Sequence, residues 1–108
     1  MKLLELKNFK GGWLVGDFEP SLFKRDNVEV GIHKLQKGSI SDGHYHLRSN
    51  EYNLILKGKV KNIISNEVYE EGDIFIYEPN DKSKIEFLED TKLLVIRDSS
   101  DPTDKYFD

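Results

Sequence analysis

Turn-forming residues interrupt this chain so often that no long helix fits between them. They stand at Gly11-Gly12, Glu19-Pro20-Ser21, Asp26-Asn27, Lys37-Gly38, Lys57-Gly58, Ser65-Asn66, Glu71-Gly72-Asp73, Pro79-Asn80-Asp81 and Glu89-Asp90. Glycine, proline and Asn/Asp break regular structure because they suit backbone conformations that helices and strands do not use. Between the breaks, apolar residues alternate in Val28-Glu29-Val30-Gly31-Ile32 and run together in Leu93-Leu94-Val95-Ile96, the patterns of half-buried and fully buried strands. The chain therefore reads as all-β, with strands over about 2–8, 12–15, 27–36, 43–46, 50–56, 59–64, 67–69, 73–78, 83–88 and 92–98. Many short strands at this spacing suit a sandwich or a small barrel.

One hundred and eight residues allow one domain with one core. Hydrophobic residues are 37% of the chain, with 6 Phe, 5 Tyr and 1 Trp, which is enough to build that core. Acidic residues outnumber basic ones 20 to 16, giving a net charge of −4, and no Lys/Arg cluster is placed to neutralise a phosphate backbone, so nucleic acid is not an expected partner. The absence of cysteine excludes disulfides, thiolate metal sites and a Cys nucleophile. No run approaches the length of a membrane-spanning helix, and the first residues lack the form of a signal peptide; no membrane partner and a cytoplasmic location are expected.

The chemistry concentrates between Gly38 and Gly58. Residues two apart on a strand face the same way, so His44 and His46 present both imidazoles in one direction. A short link later Glu51 opens the next strand, and a hairpin would set its carboxylate opposite them. Two histidines and a carboxylate form a facial set for a divalent ion such as Zn, Fe, Mn or Ni, with positions left for water or substrate. Asn53 and Ile55 share the Glu51 face and should line the same cavity. Asp42, Arg48 and Asn50 flank its mouth, where they would orient an anionic or hydroxylated ligand.

The spacing of Gly38, His44, His46, Glu51 and Gly58 resembles the first signature of the cupin superfamily. The stretch through Lys59-Val60, Ile63-Ile64 and Gly72-Asp73-Ile74-Phe75-Ile76 is similar to the cupin hairpin that follows it. The resemblance covers about residues 28–97 and implies a single small jelly-roll cupin (a double-stranded β-helix) over 1–108, with an N-terminal arm over 1–27 and a tail over 99–108. It also implies a metal held by His44, His46 and Glu51, a small-molecule ligand, and a homodimer.

The second signature departs from the family pattern. Gly72 and Pro79 fit with one extra residue between them, Asp81 stands where a second Gly is usual, and Lys84 falls at or near the histidine that supplies a fourth ligand. An ammonium cannot bind a metal. Lys84 and Glu86 share a face: turned inward they are the expected catalytic pair, with Lys84 as base or paired with Glu51 and Glu86 available as a further ligand, and turned outward they are a solvated pair on the strand. The implied function is metal-dependent chemistry of isomerase or epimerase type on a sugar or related oxygenated substrate; the alternatives are a non-catalytic ligand-binding module and an Fe(II) dioxygenase. His33 is expected at the surface, opposite Val28, Val30 and Ile32. Trp13, Phe18, Phe23, Tyr45 and Tyr52 are expected to pack, and Tyr106 and Phe107 to pin the tail.

Overall fold

The computed structural model describes residues 1–41, 44–45, 49–100 and 106–107. The expected 43–46 strand and much of the tail thus lie partly outside the described residues. Eleven short strands carry the described chain: β1 Trp13–Gly16, β2 Phe23–Lys24, β3 Glu29–Leu35, β4 His44–Tyr45, β5 Glu51–Lys57, β6 Lys59–Asn62, β7 Val68–Glu70, β8 Ile74–Tyr77, β9 Ile85–Phe87, β10 Thr91–Arg97 and β11 Tyr106–Phe107. They form a six-stranded sheet in the order β2-β1-β3-β10-β5-β8, a three-stranded sheet β7-β6-β9, and the pair β11-β4. From β3 onward each strand leaves the sheet of the one before it, except that β6 and β7 pair as a hairpin in the smaller sheet, the alternation of a jelly roll. Among the described residues no helix is long and apolar enough to cross a membrane.

The expected strand over 2–8 is absent. A strand needs a neighbour, and the free edge of β1 is taken by β2, with Val15 opposite Phe23. The segment instead makes a 3-10 turn over Leu6–Asn8, closed by Asn8 N–H to Glu5 O and Phe9 N–H to Leu6 O. Leu3 and Leu4 stay exposed, while Phe9 is buried.

The core lies between the two larger sheets. Ile55, Leu93 and Val95 face Val60, Ile85 and Phe87, with Trp13, Leu35, Tyr69, Phe75 and Tyr77 packed around them. Ile55 and Val60 stand either side of the sharp turn at Lys57-Gly58, so one turn feeds both sheets. Gly58 has φ +111°, and a Cβ there would lie 2.4 Å from Thr91 Oγ1 and 2.8 Å from Asp90 O, so only glycine fits.

Register defines the inner face of the large sheet. Arg97 stands between Glu29 and Glu51, Val95 between Gly31 and Asn53, and Leu93 between His33 and Ile55. On the far side of β5, Glu51 pairs with Tyr77 and Asn53 with Phe75. The polar strip Glu29, Arg97, Glu51, Tyr77 thus closes one end of a surface that is elsewhere mainly apolar, with Asn53 and His33 its polar members.

Candidate functional site

A cavity of about 300 Å³ opens between the sheets, lined in part by His33, Asn53, Phe75, Phe87 and Leu93. Glu51 and Tyr77 border it as well, as do Ser39, Ile40 and Ser41 from the segment that follows β3. That segment is strapped across β9: Gly38 N–H donates to Phe87 O, Phe87 N–H to Ser39 O, and Ser41 N–H to Ile85 O. Ser41 Oγ also accepts from Ile85 N–H at 2.9 Å. These bonds hold the two hydroxyl-bearing residues at the cavity wall instead of leaving them in a loose loop.

Glu51 is the one member of the expected metal set whose side chain is described. It is buried to 9% exposure and opens on the cavity, as its spacing predicted. Asn53 Nδ2 approaches its Oε2 at 3.4 Å, long for a hydrogen bond to a carboxylate. His44 lies on β4, in register with Phe107 of β11. His46, with Asp42 and Arg48, lies outside the described residues. Among the described residues no three metal-ligating side chains come together. The fit to a divalent ion is therefore tested at Glu51, where a nearly buried, acceptor-only carboxylate on a cavity wall is the oxygen donor such an ion takes. The donor chemistry suits the ion.

The start of β5, which aims Glu51, is held from two sides. Ser49, 1% exposed, accepts from Arg97 Nη2 at 3.3 Å. Asn50 donates to Asp98 through N–H at 2.9 Å and through Nδ2 at 3.0 Å. Arg97 is itself fixed by Glu29 at 2.7 Å, with both side chains under a tenth exposed. Ser100 Oγ donates to the second Glu29 oxygen at 3.0 Å and accepts from Asp17 N–H at 2.7 Å. A buried charge is costly unless paired and hydrogen-bonded, and this chain of contacts supplies both conditions. Asn50, expected at the mouth to orient a ligand, acts here as a brace.

Two expectations are corrected. On β9 the buried residues are Ile85 and Phe87, so Lys84 is exposed and Glu86 half-buried on the opposite face. Glu86 stands in register with Lys61 of β6, and neither Lys84 nor Glu86 borders the cavity. The placement does not make them an internal base, because a three-residue strand between two buried anchors has no freedom to turn its other face inward.

His33 moves the other way, from the expected surface to the cavity wall. Its ring meets Trp13 edge-on at 4.7 Å between centroids. The Glu29-Gly31-His33 face points inward because Arg97 buries Glu29, and the apolar Val30 and Ile32 are turned out. His33 and Glu51 sit at opposite ends of the cavity. Leu93 faces both His33 and Ile55, and Ile55 is four residues from Glu51, about 13 Å along the strand.

No protein-family model matches the sequence, and no curated protein is significantly similar to it. Solved structures do share its fold. A Klebsiella pneumoniae protein with a double-stranded β-helix domain superposes with TM-score 0.66 at 12% identity, covering 77% of this chain and 71% of that one. A sugar phosphate isomerase of the cupin superfamily from Silicibacter pomeroyi gives 0.60 at 19% identity, over 76% of this chain and 57% of that one. KdgF of a Halomonas species gives 0.63 at 16% identity, over 71% and 74%. Strand order, a cavity between the sheets and these superpositions agree: the chain has the cupin double-stranded β-helix fold.

Proposed function

We propose that this protein is a metal-dependent enzyme acting on a small oxygenated molecule, with isomerase- or epimerase-like chemistry on a sugar or related compound. The observation that carries the reading is the nearly buried Glu51 carboxylate on the wall of a cavity of about 300 Å³, a volume at the lower end of small-molecule sites. His44, His46 and Glu51 would hold the ion, which when bound supplies polarisation of a carbonyl or hydroxyl. Ser39, Ser41 and Asn53 offer hydroxyl and amide groups for a hydroxylated substrate. Phe75, Phe87 and Leu93 exclude water from its other side. With Lys84 and Glu86 turned outward, the other titratable cavity residues are Tyr77, in register opposite Glu51, and His33 at the far end. Tyr77 takes the role of proton carrier nearest Glu51, and His33 that of a distal substrate contact. One structural neighbour bears the name sugar phosphate isomerase, which fits the same substrate class.

The test is twofold. Protein purified without chelator should contain a divalent ion, and ions added after stripping should raise its melting temperature; absence of both removes the basis of the reading. Turnover on a carbohydrate panel should then survive strict anaerobiosis, whereas loss without oxygen would favour an Fe(II) dioxygenase.

The outward placement of Lys84 and Glu86 favours one other reading, a cavity that binds its ligand without turning it over. A ligand that stabilises the metal-loaded protein yet is recovered unchanged would select this second reading.

A further inference from the structure

Three lysines stand side by side at one end of the large sheet. Lys34 of β3 is in register with Lys92 of β10, and Lys92 with Lys57 of β5, and all three are exposed. Neighbouring strands lie about 5 Å apart, so the row spans roughly 10 Å between its outer members. Like charges directly opposite one another on a sheet repel. Among the described residues none of the three ammonium groups forms an ion pair. A chain of net charge −4 thus gathers three adjacent positive charges at one place.

The third lysine is there because β5 carries a bulge. Strict alternation from the buried Ile55 would set Leu56 opposite Lys92 and return Lys57 to the inner side. The register instead shifts between Leu93, which faces Ile55, and Lys92, which faces Lys57. A bulge bends one strand locally and re-aims a side chain, and such features are common next to functional sites. The row borders a concavity of about 390 Å³, lined also by Gln36, Asp90 and Thr91. Asp90 is the one acid of that lining, and its Oδ1 accepts from Lys37 N–H at 2.9 Å. Leu35 is the one residue that borders both this concavity and the cavity between the sheets. Glu51 stands at the other end of β5 from Lys57, about 20 Å along the strand.

We infer that the lysine row binds the phosphoryl group of a small molecule, at a site separate from the cavity. A phosphoryl group carries nearly two negative charges and three acceptor oxygens at neutral pH, and three flexible lysine stems can bring one ammonium to each oxygen. A carboxylate, with one charge and two oxygens, would leave the row partly unneutralised. A row of three charges bordered by Asp90 is too short to track a nucleic-acid backbone, in keeping with the acidic balance of the whole chain.

Inorganic phosphate at low millimolar concentration, with ionic strength held constant by sodium chloride, should raise the melting temperature of the full chain by a few degrees. Lys57→Gln and Lys92→Gln, both at exposed positions, should each weaken phosphate binding roughly tenfold, the loss of one charge-assisted hydrogen bond. Lys92→Gln should also melt higher than the natural chain when phosphate is absent, because it removes the central repelling charge. Glu51→Gln should keep the phosphate response, which separates this site from the cavity and from any ion held there. Flotation with phosphatidic acid vesicles, and not with phosphatidylcholine vesicles, would place the phosphoryl group on a lipid; a phosphate response without flotation would place it on a soluble molecule. A melting temperature that phosphate does not move overturns the proposal. So does a response that survives the combined Lys34→Gln, Lys57→Gln and Lys92→Gln changes, a response lost in Glu51→Gln, or a Lys92→Gln protein that melts lower without phosphate.

Discussion

Arg97 Nη1 donates to Glu29 Oε1 at 2.7 Å across 68 residues of sequence, with both side chains almost fully buried. The same guanidinium reaches Ser49 Oγ at 3.3 Å, two residues before Glu51. A strand-to-strand ion pair thus holds the segment that aims the cavity carboxylate.

Removing one partner of this pair leaves the other charge buried and uncompensated. Glu29→Ala should destabilise the protein by about 3–5 kcal/mol, a large part of the stability of a domain this size. Replacing both residues, as in Glu29→Leu with Arg97→Met, should cost less than the single change, because no isolated charge remains. Urea unfolding of the three proteins measures this. A single variant that costs under about 1 kcal/mol would show that the charges relax to solvent and do not depend on each other.

The two glycines that bound the His-x-His segment should respond differently to alanine. Both have positive φ, +89° at Gly38 and +111° at Gly58. A Cβ at Gly38 meets nothing within 4 Å, whereas at Gly58 it would press on Thr91 Oγ1 and the Asp90 and Thr91 backbone. Gly38→Ala should therefore cost about 1–2 kcal/mol for the left-handed backbone alone. Gly58→Ala should cost about 2–5 kcal/mol, because overpacking against backbone adds to the same strain. Thermal unfolding of the two proteins should separate them by several degrees.

The contrast between Glu51 and His33 shows how much of the site was legible in sequence. Glu51 lies on the face expected, because Asn53 and Ile55 at the same alternation carry it into the core. Strand alternation divides a strand into two faces but does not say which faces inward. On β3 the apolar Val30 and Ile32 suggested the wrong one, since the partner that buries Glu29 is Arg97, far along the chain. Lys84 was assigned by its place in a motif, yet the inward side of β9 is chosen by Ile85 and Phe87. Strand β11 was missed because Tyr106 and Phe107 lack alternation of their own and, among the described residues, pair with the distant His44 and Tyr45. The segment 2–8 has strand-like residues, but the edge of β1 is taken by β2. Local pattern was enough wherever a residue's neighbours lay nearby in sequence, and it failed where a distant partner decided the face.

Trp13 packs over Gly31, where a Cβ would lie 2.7 Å from Trp13 Cε3, and its ring is met edge-on by His33. Gly31→Ala should therefore displace the indole and cost about 1–3 kcal/mol. The single tryptophan makes this visible, as a shift of its fluorescence maximum to longer wavelength. An unchanged emission spectrum would mean that the indole is not held by this contact.

The last prediction separates the two ends of the cavity. Ligand bonds to a divalent ion are about 2 Å long, so an ion held at Glu51 cannot also take His33, which lies about 13 Å along the strands from it. Glu51→Gln removes the anionic donor while keeping its shape, and should abolish the rise in melting temperature that added divalent ions produce. His33→Ala should leave that rise intact, while losing about 0.5–1.5 kcal/mol of basal stability with its edge-on contact to Trp13. Melting curves of the stripped proteins, with and without Zn or Mn, distinguish the two. If His33→Ala abolished the rise as Glu51→Gln does, the ion would have to sit between the two ends, and the separation of metal and distal substrate contact would be wrong.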